Sequence, residues 1–255
     1  MNYGVQMFSI KDVASVDLKL ALKTVAEHGY KSVEFAGFFG NSAEDVKSWL
    51  DEYGLAVTGT HTGLAMLTPE TIADTVAYHK AIGCDYVIVP HANWSNEENL
   101  NKNIEAMKYA AEYLAREGMT LGFHNHSGEL IEYPYGKTPI DEIINNTTIE
   151  LEPDVFFFCN CGLDPLEFCE KYSSRIKFIH LKDGTYPTDM ERDYTNIHAG
   201  AESTVSGEGM VPVDAIVAWA REHGKEIVVE VECKGAGAVV TKQCIDYLRS
   251  KEVNA

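Results

Sequence analysis

The stretch FHNHSGEL places His124, His126 and Glu129 within six positions of one another. Imidazoles and carboxylates are the side chains that exchange protons near neutral pH and bind divalent ions through nitrogen and oxygen. Similar groups recur along the chain at Gln6, Glu34, His61, His91, Asp154, His180 with Lys182, and Glu230 with Glu232. Each closes a short apolar run. Brought together, they would suit one divalent ion, Mn²⁺, Zn²⁺, Co²⁺ or Mg²⁺, without needing thiolates. The six cysteines, at 84, 159, 161, 169, 233 and 244, include no C-x-x-C pair. Cys159 and Cys161 are expected as buried small hydrophobes on one face of a strand.

The apolar runs imply what must position these groups. Strands are expected over 2–8, 32–36, 56–62, 86–91, 120–126, 149–156, 176–183 and 226–232, and helix-period segments alternate with them. In NSAEDVKSWLDEYG, Ser42 reads as a helix N-cap and Gly54 as its stop; in TPETIADTVAYHKAIG, Thr68 and Gly83 read the same way. Helices are also expected in DLKLALKTVAEHG, NLNKNIEAMKYAAEYLAREG, TPIDEIINN, DPLEFCEKYSSR, VPVDAIVAWAREHG and VVTKQCIDYLRS, making eight in all. Strand-then-helix repeated eight times, with no low-complexity linker, predicts one (β/α)8 TIM barrel across 1–255, with a doubly wound open sheet as the alternative. In such a barrel alternate strand residues point inward and functional groups collect at the C-terminal strand ends. One polar strand end could simply be solvated; polar ends on all eight would be costly unless they serve a site. Parity puts His180 on the face of Ile176 and Phe178, and Glu230 on that of Val228. Asp154 follows Glu150 and Glu152 at the same parity, and Pro153 is expected to introduce a bulge there.

Composition narrows the function. With 39 acidic against 21 basic residues, a formal charge of −18, the chain lacks the cationic surface that nucleic-acid binding requires. No apolar run approaches the roughly 20 residues of a membrane span. The start, MNYGVQMFSIKD, lacks a secretory pattern, so a cytoplasmic protein acting on a small molecule is expected, with a homo-oligomer left open.

The segments YGVQMFSIKD, GYKSVEFAGFFG, FHNHSGEL, LEPDVFFFCNCGLDP, IKFIHLKD and SGEGMVPVDAIVAWAREHG resemble, in order and spacing, the sugar phosphate isomerase/epimerase family with the xylose isomerase-like TIM barrel, in its H-N-H-x-x-E branch. The resemblance implies a divalent metal held from the last four strands by Asp154, His180 and Glu230. It points to Glu129 as the fourth ligand, with His126 as its competitor and Glu132 matching a carboxylate of inosose dehydratase-like relatives. Phe157 and Asn160 stand where the family has tryptophan and histidine, and Glu232 stands where aspartate is common.

The chemistry implied is removal of a proton beside the carbonyl of a sugar or sugar derivative, giving isomerisation or epimerisation. A lyase acting on a keto-inositol or a 3-keto-glycoside starts from the same step. His124 and His126 are the expected acid–base groups, and Lys182 would hold a hydroxyl, a phosphate or the enediolate oxygen. Glu34, His61, His91 and Asn160 are the expected readers of substrate hydroxyls. The loop VSGEGM is read either as a cover over substrate or as a plain turn. An abasic-site endonuclease, which shares the barrel, is disfavoured by the charge.

Overall fold

The computed structural model describes residues 1–190, 192–232 and 235–252; Cys233 lies outside them. Among these described residues nine strands run in chain order: β1 (Tyr3–Gln6), β2 (Ser32–Phe35), β3 (Ala56–His61), β4 (Tyr86–Val89), β5 (Thr120–His124), β6 (Glu150–Glu152), β7 (Phe178–Thr185), β8 (Glu202–Thr204) and β9 (Glu226–Glu230). The sheet order is β6-β5-β4-β3-β2-β1-β9-β7-β8. All pairings are parallel except that of β8 with the end of β7. Parallel bridges from Leu151 to Ile176 and from Asp154 to His180 join β6 to β7 and close the ring. The eight expected strands therefore form the barrel, and β8 is an addition at its mouth.

The eight expected helices are present as Leu18–His28, Ala43–Tyr53, Ile72–Ile82, Glu97–Arg116, Pro139–Asn146, Pro165–Lys171, Val213–Glu222 and Gly237–Glu252. Ser42 caps the second of these by accepting a bond from the Asp45 amide at 3.1 Å, and Gly54 ends it at φ 65°. Thr68 is not a cap. It forms a turn with Thr71, and the helix starts at Ile72. No helix among the described residues is long and apolar enough to cross a membrane.

The expected strand over 149–156 ends early, at Glu152. Pro153 has no N–H to extend the ladder, and its carbonyl instead accepts the His180 amide at 3.0 Å. The Asp154 carboxylate then caps a short helix, Val155–Asn160, by accepting from the Phe156 amide at 3.0 Å. Cys159 and Cys161 consequently sit at the end of that helix, half-buried, and not on a strand face.

Inside the barrel, Tyr86, Ile88, Phe178 and Val228 form a small apolar plug, separate from the larger core between sheet and helices. The Tyr86 and Phe178 rings meet edge to face, 4.9 Å between centroids. The Tyr86 hydroxyl donates to the half-buried Glu150 at 3.0 Å. The plug fits because β5 carries Gly122 opposite it: a methyl group there would lie 2.8 Å from the Tyr86 ring. We expect Gly122→Ala to cost about 1–3 kcal/mol through overpacking. An unchanged denaturation midpoint would show that the ring moves aside freely.

Candidate active site and metal centre

Above the plug, successive inward positions bring buried imidazoles and carboxylates into one layer. Glu34 Oε1 lies 2.8 Å from His180 Nε2, 2.9 Å from His61 Nε2 and 2.7 Å from the Gln6 amide nitrogen. Glu152 Oε2 lies 3.2 Å from His61 Nε2, 3.4 Å from His124 Nδ1 and 3.5 Å from His180 Nε2. On the other edge of its ring, His180 Nδ1 is 3.0 Å from Glu230 Oε2. Glu34, Glu152, Asp154 and His180 are wholly buried.

The charges follow from these contacts. Burial alone would push Glu34 up, but His180 and His61 hold it well below the usual carboxylate range. Burial beside Glu34 pushes Glu152 up to about 7. Burial likewise raises Asp154 to about 7, against the pull of Lys182. The histidines divide: burial disfavours charge on each, yet Glu34 and Glu152 raise His61 to about 9 and His180 well above its ordinary value. Burial and the neighbouring cations hold His124 well below its ordinary value, and burial takes His126 down to about 3.

Two groups of potential ligand atoms converge here, each within 4.8 Å of one another: His61, His124, Glu152 and His180, and His124, Asp154, His180 and Glu230. Glu34 Oε2, His124 Nδ1, Glu152 Oε1 and Asp154 Oδ2 are buried without a hydrogen-bond partner. Buried oxygens and an imidazole nitrogen left this way are costly alone, and a bound cation would satisfy them. The donor set therefore fits a divalent ion.

A cavity of about 820 Å³ opens over this layer, lined by His61, His91, His124, His126, Lys182 and Glu230 among others. Lys182 is almost fully buried, ion-paired to Glu232, 3.9 Å from Glu230 and 4.7 Å from the Phe157 ring centroid. Burial opposes its charge, but Glu230 and Asp154 raise it above its ordinary value, so it stays cationic.

Two expected site residues lie elsewhere. Glu129 belongs to neither convergent group. Its carboxylate accepts from the Trp94 indole at 2.6 Å and the His126 amide at 2.8 Å, fixing the turn Ser127–Leu130. Asn160 does not line the cavity; it donates at 2.8 Å to Ser127 and to the Ile197 carbonyl, tying two loops together. Glu132 is exposed beyond the turn. Sequence reasoning gave no role to Glu152, to the Trp94 partner of Glu129, or to His198, Glu202 and Ser203, which also line the cavity.

Burial raises Glu129 to about 7. The folded chain then keeps a proton that the unfolded chain releases near 4.5, so this contribution is full below about pH 4.5 and lost as pH rises through 7. Its size is about 3 kcal/mol. Glu129→Gln should flatten that part of the stability profile in urea melts at pH 4.5 to 7.5; an unaltered slope would refute the assignment.

The loop VSGEGM is anchored from below. The Asp183 carboxylate, buried on the outward side of β7, accepts from the amides of Gly184, Gly207, Gly209 and Val211 at 2.8, 2.8, 3.0 and 3.1 Å. Gly207 sits at φ 88° against the Tyr247 ring, and a side chain at Gly209 would strike Asp183. The loop is a turn pinned in place, and its residues do not line the cavity.

The family model of the xylose isomerase-like TIM barrel matches residues 22–251. The chain belongs to that family. Within it, inosose dehydratase of Geobacillus kaustophilus (strain HTA426) is 24% identical over 242 residues, covering 83% of this chain and 79% of that protein. Among solved structures, a sugar phosphate isomerase/epimerase from Parabacteroides distasonis ATCC 8503 superposes with a TM-score of 0.79 at 22% identity, covering 97% of each chain. The IOLI protein, solved with a bound zinc atom, superposes with a TM-score of 0.71 at 16% identity, over 100% of this chain and 97% of that one.

Proposed function

We propose that this member of the xylose isomerase-like family is a divalent-metal-dependent enzyme that removes a proton beside the carbonyl of a sugar or sugar derivative, returning an isomer or epimer. The observation that carries this reading is the meeting of His124 and His180 with buried carboxylates, several of their atoms unpartnered, at the floor of a sugar-sized cavity. The zinc atom bound in the IOLI structure supports a bound metal in this chain as well. The bound ion would act as a Lewis acid toward the carbonyl.

The remaining roles fall to side chains at the cavity. His126 lines the cavity and is the imidazole placed to accept a proton from the substrate carbon. Asp154, raised to about 7, can hold or release one near neutrality. The Lys182 ammonium supports negative charge on the enediolate oxygen, and Phe157 shields that ammonium from water. His61 and His91, facing the cavity, can read hydroxyls, while Glu34 works through His61 and His180.

A second reading, loss of water from a keto-inositol or breakage of a 3-keto-glycoside, shares the first step. It is favoured by the relatives named inosose dehydratase. Metal-loaded protein incubated in D₂O with a panel of ketoses, scyllo-inosose and a 3-keto-glucoside separates these outcomes by NMR. Deuterium beside the carbonyl in recovered or isomerised sugar supports the first reading, and an unsaturated product supports the second. Neither change with any compound would refute the shared proton abstraction.

A further inference from the structure

We propose that the cavity takes an uncharged, polyhydroxylated substrate and turns away phosphate esters, because the anion positions of the fold are filled by the chain's own carboxylates. The inference rests on the sugar-directed reading above and names the substrate class of that site.

The backbone supplies the first argument. In (β/α)8 barrels a phosphate frequently sits on amides of the loops after the seventh and eighth strands, helped by a helix N-terminus. Here the first of those loops follows β7, the seventh strand of the barrel. Its Gly-x-Gly turn aims the amides of Gly207, Gly209 and Val211, together with that of Gly184, at the Asp183 carboxylate, at 2.8, 3.0, 3.1 and 2.8 Å. Such a cluster of N–H groups is an anion-binding nest. Its anion is internal, buried, and turned away from the cavity. The second position is the start of the last helix, Gly237–Glu252, which follows β9. There the Gly237 amide faces the Asp12 carboxylate at 3.4 Å.

Charge at the cavity points the same way. Glu202, Glu230 and Glu232 line it, and Glu202 stands exposed on β8. The cations among the described lining residues are matched inside the site. Lys182 is ion-paired to Glu232 and 3.9 Å from Glu230, and His61 lies 2.9 Å from Glu34 and 3.2 Å from Glu152. His198, lowered from its ordinary value by burial and by Lys182, adds no positive charge. A phosphate ester would bring a charge of about −1.5 to −2 to these carboxylates, within a chain of net charge −18. Sugar hydroxyls instead donate to carboxylates in charge-assisted bonds and accept from a neutral imidazole N–H.

The test uses full-length protein with the metal in excess, so that phosphate does not strip it. The panel of ketoses, scyllo-inosose and the 3-keto-glucoside is extended with D-fructose and D-xylulose, each beside its terminal phosphate ester. Ligand-induced shifts of the melting temperature report binding, and deuterium exchange reports turnover. We expect stabilisation by uncharged members, and exchange at least about tenfold faster with a parent sugar than with its ester. Added salt should narrow that gap by screening the repulsion, and Glu202→Lys, a change at an exposed position, should narrow it about tenfold. A phosphate ester that binds or reacts better than its parent would overturn the inference, as would no stabilisation by any uncharged member. A gap that neither salt nor Glu202→Lys narrows would overturn it too, by locating the exclusion in shape. If no compound exchanges deuterium, the proton-abstraction reading fails, while the melting shifts still decide the substrate class.

Discussion

Replacing His180 with alanine is expected to abolish stoichiometric metal and to lower deuterium exchange into substrate by at least about a thousandfold, the scale of losing a principal source of charge stabilisation. His180 is the side chain on which every other part of the site depends. Its two nitrogens reach Glu34 at 2.8 Å and Glu230 at 3.0 Å, and it belongs to both groups of potential ligands. Its removal would leave four buried carboxylates with Lys182 and His61 as their remaining partners of raised basicity. The variant should therefore also lose stability in the metal-free state. Elemental analysis and NMR exchange on the same preparation check the result together. Metal retained at full occupancy with exchange intact would remove His180 from the site.

The second large effect is expected from Asp183→Asn, at a residue that does not line the cavity. Four backbone amides converge on the Asp183 carboxylate. An amide side chain offers one acceptor oxygen and directs an N–H₂ group at amides that also donate. Losing charge-assisted bonds at a buried site should cost on the order of 3 kcal/mol or more. The loss should appear as a lower melting temperature and as faster proteolysis within 205–211. A variant as stable as wild type would show that the loop is held by its other contacts.

Much of the architecture was legible because the strand period is strict. His180 and Glu230 follow apolar residues at even spacing, and the sheet carries them inward as parity requires. Ser42 and Gly54 likewise act through local chemistry that a few residues determine. Legibility failed where distant residues decide the outcome. The family resemblance points to Glu129 as a ligand, but the Trp94 indole, 35 positions away in sequence, holds its carboxylate. Glu152 carried no expected role, and Pro153 was expected to introduce a bulge beside it. In the structure the proline ends the strand, while Glu152 and Asp154 still both join the convergent groups. Asn160 carries an amide that could read a hydroxyl, but Ser127 and Ile197 hold it, contacts that exist only once the loops are packed.

The alternation along β7 also divides labour in a way an engineer could use. His180 and Lys182 point toward the candidate site, whereas Asp183 points away and gathers the loop amides. Beyond Asp183 the strand leaves the barrel and pairs with β8, so Thr185 and Glu202 stand opposite each other at the two ends of the intervening segment. That pair is a natural splice point. A different segment grafted between them would remodel one wall of the cavity, including the position of His198, while the layer of buried imidazoles and carboxylates kept its own supports.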